Sequence, residues 1–206
     1  MTNKNNKLAP LVIGLIILVL GRCQDYQEKT YIMTASDSLA CNQLQDTNFV
    51  SLTAAKLSLI DTSWSAAAID SLIETDLDSI MDSLESCGNL IDTVGAFNYA
   101  ITFQGVDDAY YLVLKVDISN ETEVSIYVDN YVNLRLWDTQ GQGVTLIDDS
   151  LPLEVVADCH EIAGRFRYNL ASGRYLMEID PGDQMKSDHF KMTMIYQTIS
   201  MAKVLP

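Results

Sequence analysis

Histidine, basic charge and proline are all scarce in this chain of 206 residues, which holds 2 His, 13 Lys and Arg, and 4 Pro. His160 and His189 are too few for a multi-histidine metal site, and they leave little material for histidine-dependent acid–base chemistry. With 28 acidic residues against the 13 basic ones the formal charge is −15. No basic stripe can then release counterions from a phosphate backbone, and nucleic acid is excluded as a partner. No serine stands in a Gly-x-Ser-x-Gly turn, and Gly141-Gln142-Gly143 opens no helical pattern, so neither a nucleophile elbow nor a phosphate loop is present. An enzyme is not expected. What the chain does have is 48% apolar residues, enough for a packed core.

The one long uncharged run is near the start. Lys4 and Lys7 precede Leu8 to Gly21, which carries no charge. At ~1.5 Å per residue this run reaches roughly 21 Å, short of the ~30 Å hydrocarbon core of a bilayer, so residues 1–22 read as an export signal and not a permanent span. Leu20-Gly21-Arg22-Cys23 resembles the lipobox of bacterial lipoproteins, with Arg22 standing where that pattern has Gly, Ala or Ser. The resemblance implies acylation of Cys23 and membrane attachment through that lipid, at the outer membrane or cell surface. Cleavage by the general signal peptidase, giving a secreted protein, is the alternative. Either route places the mature chain outside the cytoplasm, and removing residues 1–22 takes away Lys4, Lys7 and Arg22 but no acid.

Residues 23–35 read as a linker and residues 36–95 as a small helical segment, because from Gln24 to Ala96 there is no proline and the only bases are Lys29 and Lys56. Apolar residues recur at spacings of three and four through Trp64, Ala68, Ile69, Leu72, Ile73, Leu77, Ile80, Met81, Leu84 and Cys87, with Asp70, Glu74, Asp78, Asp82 and Glu85 opposite. A break near Thr75-Asp76 divides this stretch into two helices, and Gly88-Asn89 supplies the C-terminal cap. Asp76, Asp78, Asp82 and Glu85 raise the question of calcium. They lie within a helical period and not in an alternating loop around a glycine, which is the spacing of a solvated face.

After Gly95 the period changes to two. Alternation over 97–103, 111–117, 124–128, 132–137, 144–148, 153–156, 165–170, 174–179 and 190–196, with turn clusters between, predicts eight or nine short strands without a crossover helix. The fold class is therefore α+β, with residues 96–206 forming an antiparallel, jelly-roll-like β-sandwich. Tyr110-Tyr111-Leu112-Val113-Leu114-Lys115-Val116, Val124-Ser125-Ile126, Leu134-Arg135-Leu136-Trp137-Asp138-Thr139-Gln140-Gly141 and the run Phe166 to Ile179 together resemble bacterial pre-peptidase C-terminal domains. That resemblance covers residues 97–197. It implies an accessory domain on an exported protein, sometimes associated with calcium or carbohydrate and not itself catalytic.

Export permits disulfides. With Cys23 acylated, Cys41, Cys87 and Cys159 remain, and Cys41–Cys87 is the preferred bridge because it staples both ends of the helical segment, leaving Cys159 free or paired between molecules. Without acylation two bridges can form. Cys159-His160 is the second half of a c-type haem attachment sequence, but Val156 stands at the first cysteine, so haem is not expected. Tyr131 and Trp137, aromatic and near turns, are the candidate ligand-binding residues, on the precedent of rings that stack on sugars. The function expected is a non-catalytic binding or interaction module with a carbohydrate or protein ligand. Two alternatives stand beside it: a structural subunit that self-associates in an extracellular assembly, and a redox or metal protein centred on Cys159-His160.

Overall fold

Among the described residues nine strands alternate between two sheets, so that every odd-numbered strand lies in one sheet and every even-numbered strand in the other. The computed structural model describes residues 33–61, 71, 73, 76–92, 98–104, 109–118, 121–147, 159–183, 185 and 187–197. The expected export signal, Cys23, the first half of the helix beginning near residue 61 and the strand expected at 153–156 lie outside the described residues. In chain order the elements are α1 (Ala35–Gln45), β1 (Val50–Thr53), α2 (Leu57–Ile60), α3 (Leu77–Ser86), β2 (Leu90–Asp92), β3 (Asn98–Thr102), β4 (Tyr110–Val116), β5 (Thr122–Val128), β6 (Asn133–Trp137), β7 (Gly164–Leu170), β8 (Gly173–Asp180) and β9 (His189–Gln197). The first sheet has the order β1-β3-β9-β5-β7 and the second β2-β4-β8-β6.

The inner faces follow from period-two alternation. Tyr99, Ile101, Val124, Ile126, Phe166, Tyr168, Phe190 and Met192 of the first sheet share a core with Tyr110, Leu112, Leu114, Leu134, Leu136, Met177 and Ile179 of the second. The outer face of the second sheet is apolar as well. Tyr111, Val113 and Leu176 meet Leu57, Ile73, Leu77, Ile80, Met81 and Leu84, which places α3 over that sheet. Each of the four buried α3 side chains contributes roughly 1.5–3 kcal/mol by leaving water. The helix ends as its sequence requires. Gly88 has φ +80°, its N–H donates to Glu85 O (3.0 Å), and the Asn89 N–H donates to Leu84 O (2.9 Å), a pairing that needs a left-handed residue at this position. Helix α3 begins after Asp76, where the break near Thr75-Asp76 was expected.

Within residues 96–206 every described strand pairing is antiparallel, as expected; what the expectation lacked are two strands contributed by the segment before residue 96. Strand β1 pairs parallel with β3, and β2 pairs parallel with β4, so both sheets are mixed. Residues 36–95 are thus not wholly helical. Two edge strands of four and three residues arise within them, too short to impose a period of their own and placed by partners far along the chain. The strand expected at 144–148 is reduced to isolated bridges, Trp137 with Gly143 and Leu146 with Tyr168. The first bridge attaches to β6 of one sheet and the second to β7 of the other. This segment therefore crosses between sheets within a few residues and cannot form a continuous ladder.

Candidate functional site

The two aromatic candidates are held very differently. Trp137 ends β6, half-buried, with its indole N–H donating to Glu178 Oε2 (3.0 Å) on β8. Glu178 also faces the Arg135 guanidinium at 3.9 Å. The ring is thereby fixed by its polar edge, as half-buried tryptophans usually are. Tyr131 lies in the link between β5 and β6 and is 44% exposed. Its backbone N–H donates to Asn130 Oδ1 (2.9 Å), and Asn130 in turn donates to Ser187 Oγ (2.8 Å). Tyr131 precedes β6 and Trp137 ends it, so most of a five-residue strand, roughly 15–20 Å of backbone, separates their Cα atoms. The structure does not bring Tyr131 and Trp137 together into one platform.

Trp137 instead borders an apolar groove at the β6 edge of the second sheet. Leu134, Leu136, Val144, Thr145, Leu146 and Tyr168 are among the residues lining it, and its volume is about 250 Å³. That is slightly below the ~300–1,000 Å³ of sites that take a whole drug-sized ligand, so the groove suits one ring or one side chain of a longer ligand. Tyr168 supplies a polar group beneath it. Its hydroxyl donates to Leu134 O (3.0 Å), and burial pushes its phenol well above the ordinary value, so it stays a donor.

A second polar cluster joins α1 to strands β5 and β7 of the first sheet. Asp37, in the first turn of α1, is completely buried. Its Oδ1 accepts from Tyr127 Oη (2.8 Å) on β5 and Arg165 Nη1 (3.0 Å) on β7, while its Oδ2 accepts from the Thr34 N–H (2.7 Å) and Thr34 Oγ1 (2.6 Å). The Thr34-x-x-Asp37 spacing is legible as a capping box. Nothing in the sequence pairs it with Tyr127 or Arg165. The far end of α1 is held too, since Lys191 Nζ donates to Leu44 O (3.2 Å) and Thr193 Oγ1 to Gln43 Oε1 (2.6 Å).

The cysteine pairing is corrected. Cys41 is bonded to Cys159, 118 positions away, and among the described residues the exposed free thiol is Cys87. Cys41–Cys87 fails because α1 packs on the first sheet and α3 on the second, so the two cysteines belong to opposite layers. Cys159 is therefore neither free nor available to a second molecule. Cys41, Cys159 and Glu161 are the one group of three metal-type donors among the described residues, but two sulfurs bonded to each other offer no thiolate to an ion. His160 is exposed and contributes no atom to that group.

The acids of α3 meet a cation that the chain itself provides. Arg174 on β8 reaches Asp82 (2.6 Å), Asp78 (3.0 Å) and Glu85 (3.3 Å), and the first two carboxylates remain largely in water. His189 Nδ1 lies 2.9 Å from Asp188 Oδ1, both exposed, and the Ser187 hydroxyl donates to the His189 backbone carbonyl (2.6 Å). These three neighbours are consequently not arranged as a nucleophile with its base.

No protein-family model matches the chain, and no curated protein is recognisably similar to it.

Proposed function

We propose that this is an exported cell-envelope protein, attached through a lipid on Cys23, whose sandwich is a non-catalytic jelly-roll module that binds a carbohydrate chain at the groove beside Trp137. The observation that carries the binding reading is that groove. It is an open apolar recess of about 250 Å³ against a tryptophan whose orientation Glu178 fixes. Sugar rings present apolar faces to such side chains, and Thr145 and Arg135 are among the residues bordering the recess. The jelly-roll reading draws support from the orders β3-β9-β5-β7 and β4-β8-β6, in which consecutive strands change sheet at every step. Export draws support from the uncharged run Leu8 to Gly21 and from a cysteine bridge of the kind that persists in oxidising compartments.

Retention on a panel of immobilised glycans tests the binding reading. Trp137→Ala should lower retention at least about tenfold, the equivalent of ~1.4 kcal/mol, while Tyr131→Ala leaves it unchanged. Equal retention of the Trp137→Ala and wild-type proteins, or no retention on any glycan, overturns the carbohydrate reading. Intact mass of the membrane-extracted protein tests the anchor: residues 23–206 plus acyl chains is the expected species.

A further inference from the structure

Glu161 sits beside the Cys41–Cys159 bridge in a way that packing alone does not require. Its Oε2 is 3.3 Å from Cys159 Sγ and 3.5 Å from Cys41 Sγ. Disulfide sulfurs carry no hydrogen to donate, so the carboxylate receives no hydrogen bond from them. Among the described residues Glu161 forms no ion pair that would cancel its charge. Cys159 is buried at 1% exposure, whereas the Cys41 residue is half-buried, which makes Cys41 the more open end of the bridge for an external thiolate.

We propose that Glu161 guards this disulfide against reduction by thiols. In the exchange step a thiolate RS⁻ attacks Cys41 Sγ, an RS–Sγ bond forms, and the Cys41–Cys159 bond breaks with its electron pair leaving on Cys159 Sγ, which then takes a proton from water. A second thiolate displaces Cys41 and releases RSSR, so two thiols are oxidised as one disulfide is reduced. In the transition state of the first exchange, negative charge lies on both the entering sulfur and Cys159 Sγ. Each stands against a carboxylate in a partly buried place where screening is weak. The guarded bridge keeps α1 fastened to the loop that leads into β7, and so keeps the outer face of the first sheet covered in the presence of small thiols.

The test is the rate of bridge reduction in a Cys87→Ser background, using glutathione, whose thiolate form is negatively charged overall, and cysteamine, whose ammonium offsets its thiolate. Glu161→Gln should speed reduction by glutathione about tenfold and by cysteamine distinctly less, each rate being expressed per thiolate. Asp183→Asn, which removes one exposed charge elsewhere, should leave both rates unchanged. Equal acceleration with the two thiols would mean that the substitution merely loosened packing, and it overturns the proposal, as does a glutathione rate within about twofold of the parent. Should Glu161→Gln fail to fold, Glu161→Asp serves instead. It draws the carboxylate back by one methylene and should give an intermediate rate with the same preference between thiols; absence of that preference again overturns the proposal.

Discussion

A carboxylate stripped of water needs replacement donors, and Asp37 finds four from three residues, one of them an arginine whose own side chain is only 10% exposed. Removing the acid leaves the Arg165 charge buried with one partner fewer. Asp37→Ala should therefore cost about 3–5 kcal/mol, read as a shift of the urea midpoint with an unchanged slope. Asp37→Asn should cost less, because the amide oxygen still accepts from part of the cluster. A loss under about 1 kcal/mol for the alanine variant would show that Arg165 has found water or another acid. Arg174 is the contrasting case. It touches three carboxylates, but the Asp78 and Asp82 side chains are 70% and 69% exposed, and exposed pairs contribute little. Arg174→Gln should change stability by no more than about 1 kcal/mol, and raising the salt concentration should shrink even that.

Among the elements, α1 depends most on contacts far away in sequence. It is tied by Asp37 at one end, by Gln43 and Leu44 at the other, and by the Cys41 bridge between. The bridge closes a loop of 118 residues, which on the chain-entropy account stabilises the fold by about 5 kcal/mol. Cys41→Ser should lower stability toward that amount and raise hydrogen exchange in α1 well before β5 or β9 opens. Uniform exchange across the three elements would mean that α1 is not a separate unit. The same dependence explains which elements were legible in the sequence. Strands β3 to β9 announce themselves because each runs five or more residues with apolar side chains at every second, core-facing position, and α3 does so because its apolar stripe, its start after Asp76 and its Gly88 cap agree. β1 and β2 do not, since four and three residues at a sheet edge carry no period. The Cys41–Cys159 pairing was hidden for a related reason: it joins layers whose relation is decided by the sheets between them. Of the site, Trp137 was visible as an aromatic near a turn, but the groove beside it is assembled from β6, β7 and the 143–146 crossing, and Asp37's partners lie 90 and 128 positions away.

For the molecule as a whole, buried phenols set an upper limit on pH. Tyr99, Tyr168 and Tyr175 all have their ionisation raised by burial. Below pH ~10 these groups are protonated in both states and contribute nothing to pH dependence. Above it the unfolded chain releases protons that the folded chain retains, so stability falls as pH rises, by up to about 1.4 kcal/mol per pH unit for Tyr168 and by less for the more solvated Tyr99 and Tyr175. Denaturant titrations at pH 8, 10 and 11 should show that decline beginning near pH 10, and a flat profile to pH 11 would mean that the phenols ionise as freely in the folded state.

The alternation of strands between sheets carries a further consequence, for the order in which the chain can fold. Among the described strands no two consecutive ones are hydrogen-bonded to each other; the local fold-back is the short turn that bridges Trp137 to Gly143, and the pairings that build the sheets wait for longer loops to close. Refolding is expected on the slow side, in the millisecond-to-second range of non-local β folds. Strand β9 is inserted between β3 and β5, and β8 between β4 and β6. The centre of each sheet is thus supplied by strands that follow their neighbours in the chain. A chain cut before His189 should show no cooperative unfolding transition, since the first sheet is then split in two. During synthesis the pairs β1–β3, β2–β4 and β5–β7 can close early, but each stays a fragment of its sheet until β8 and β9 arrive to join them.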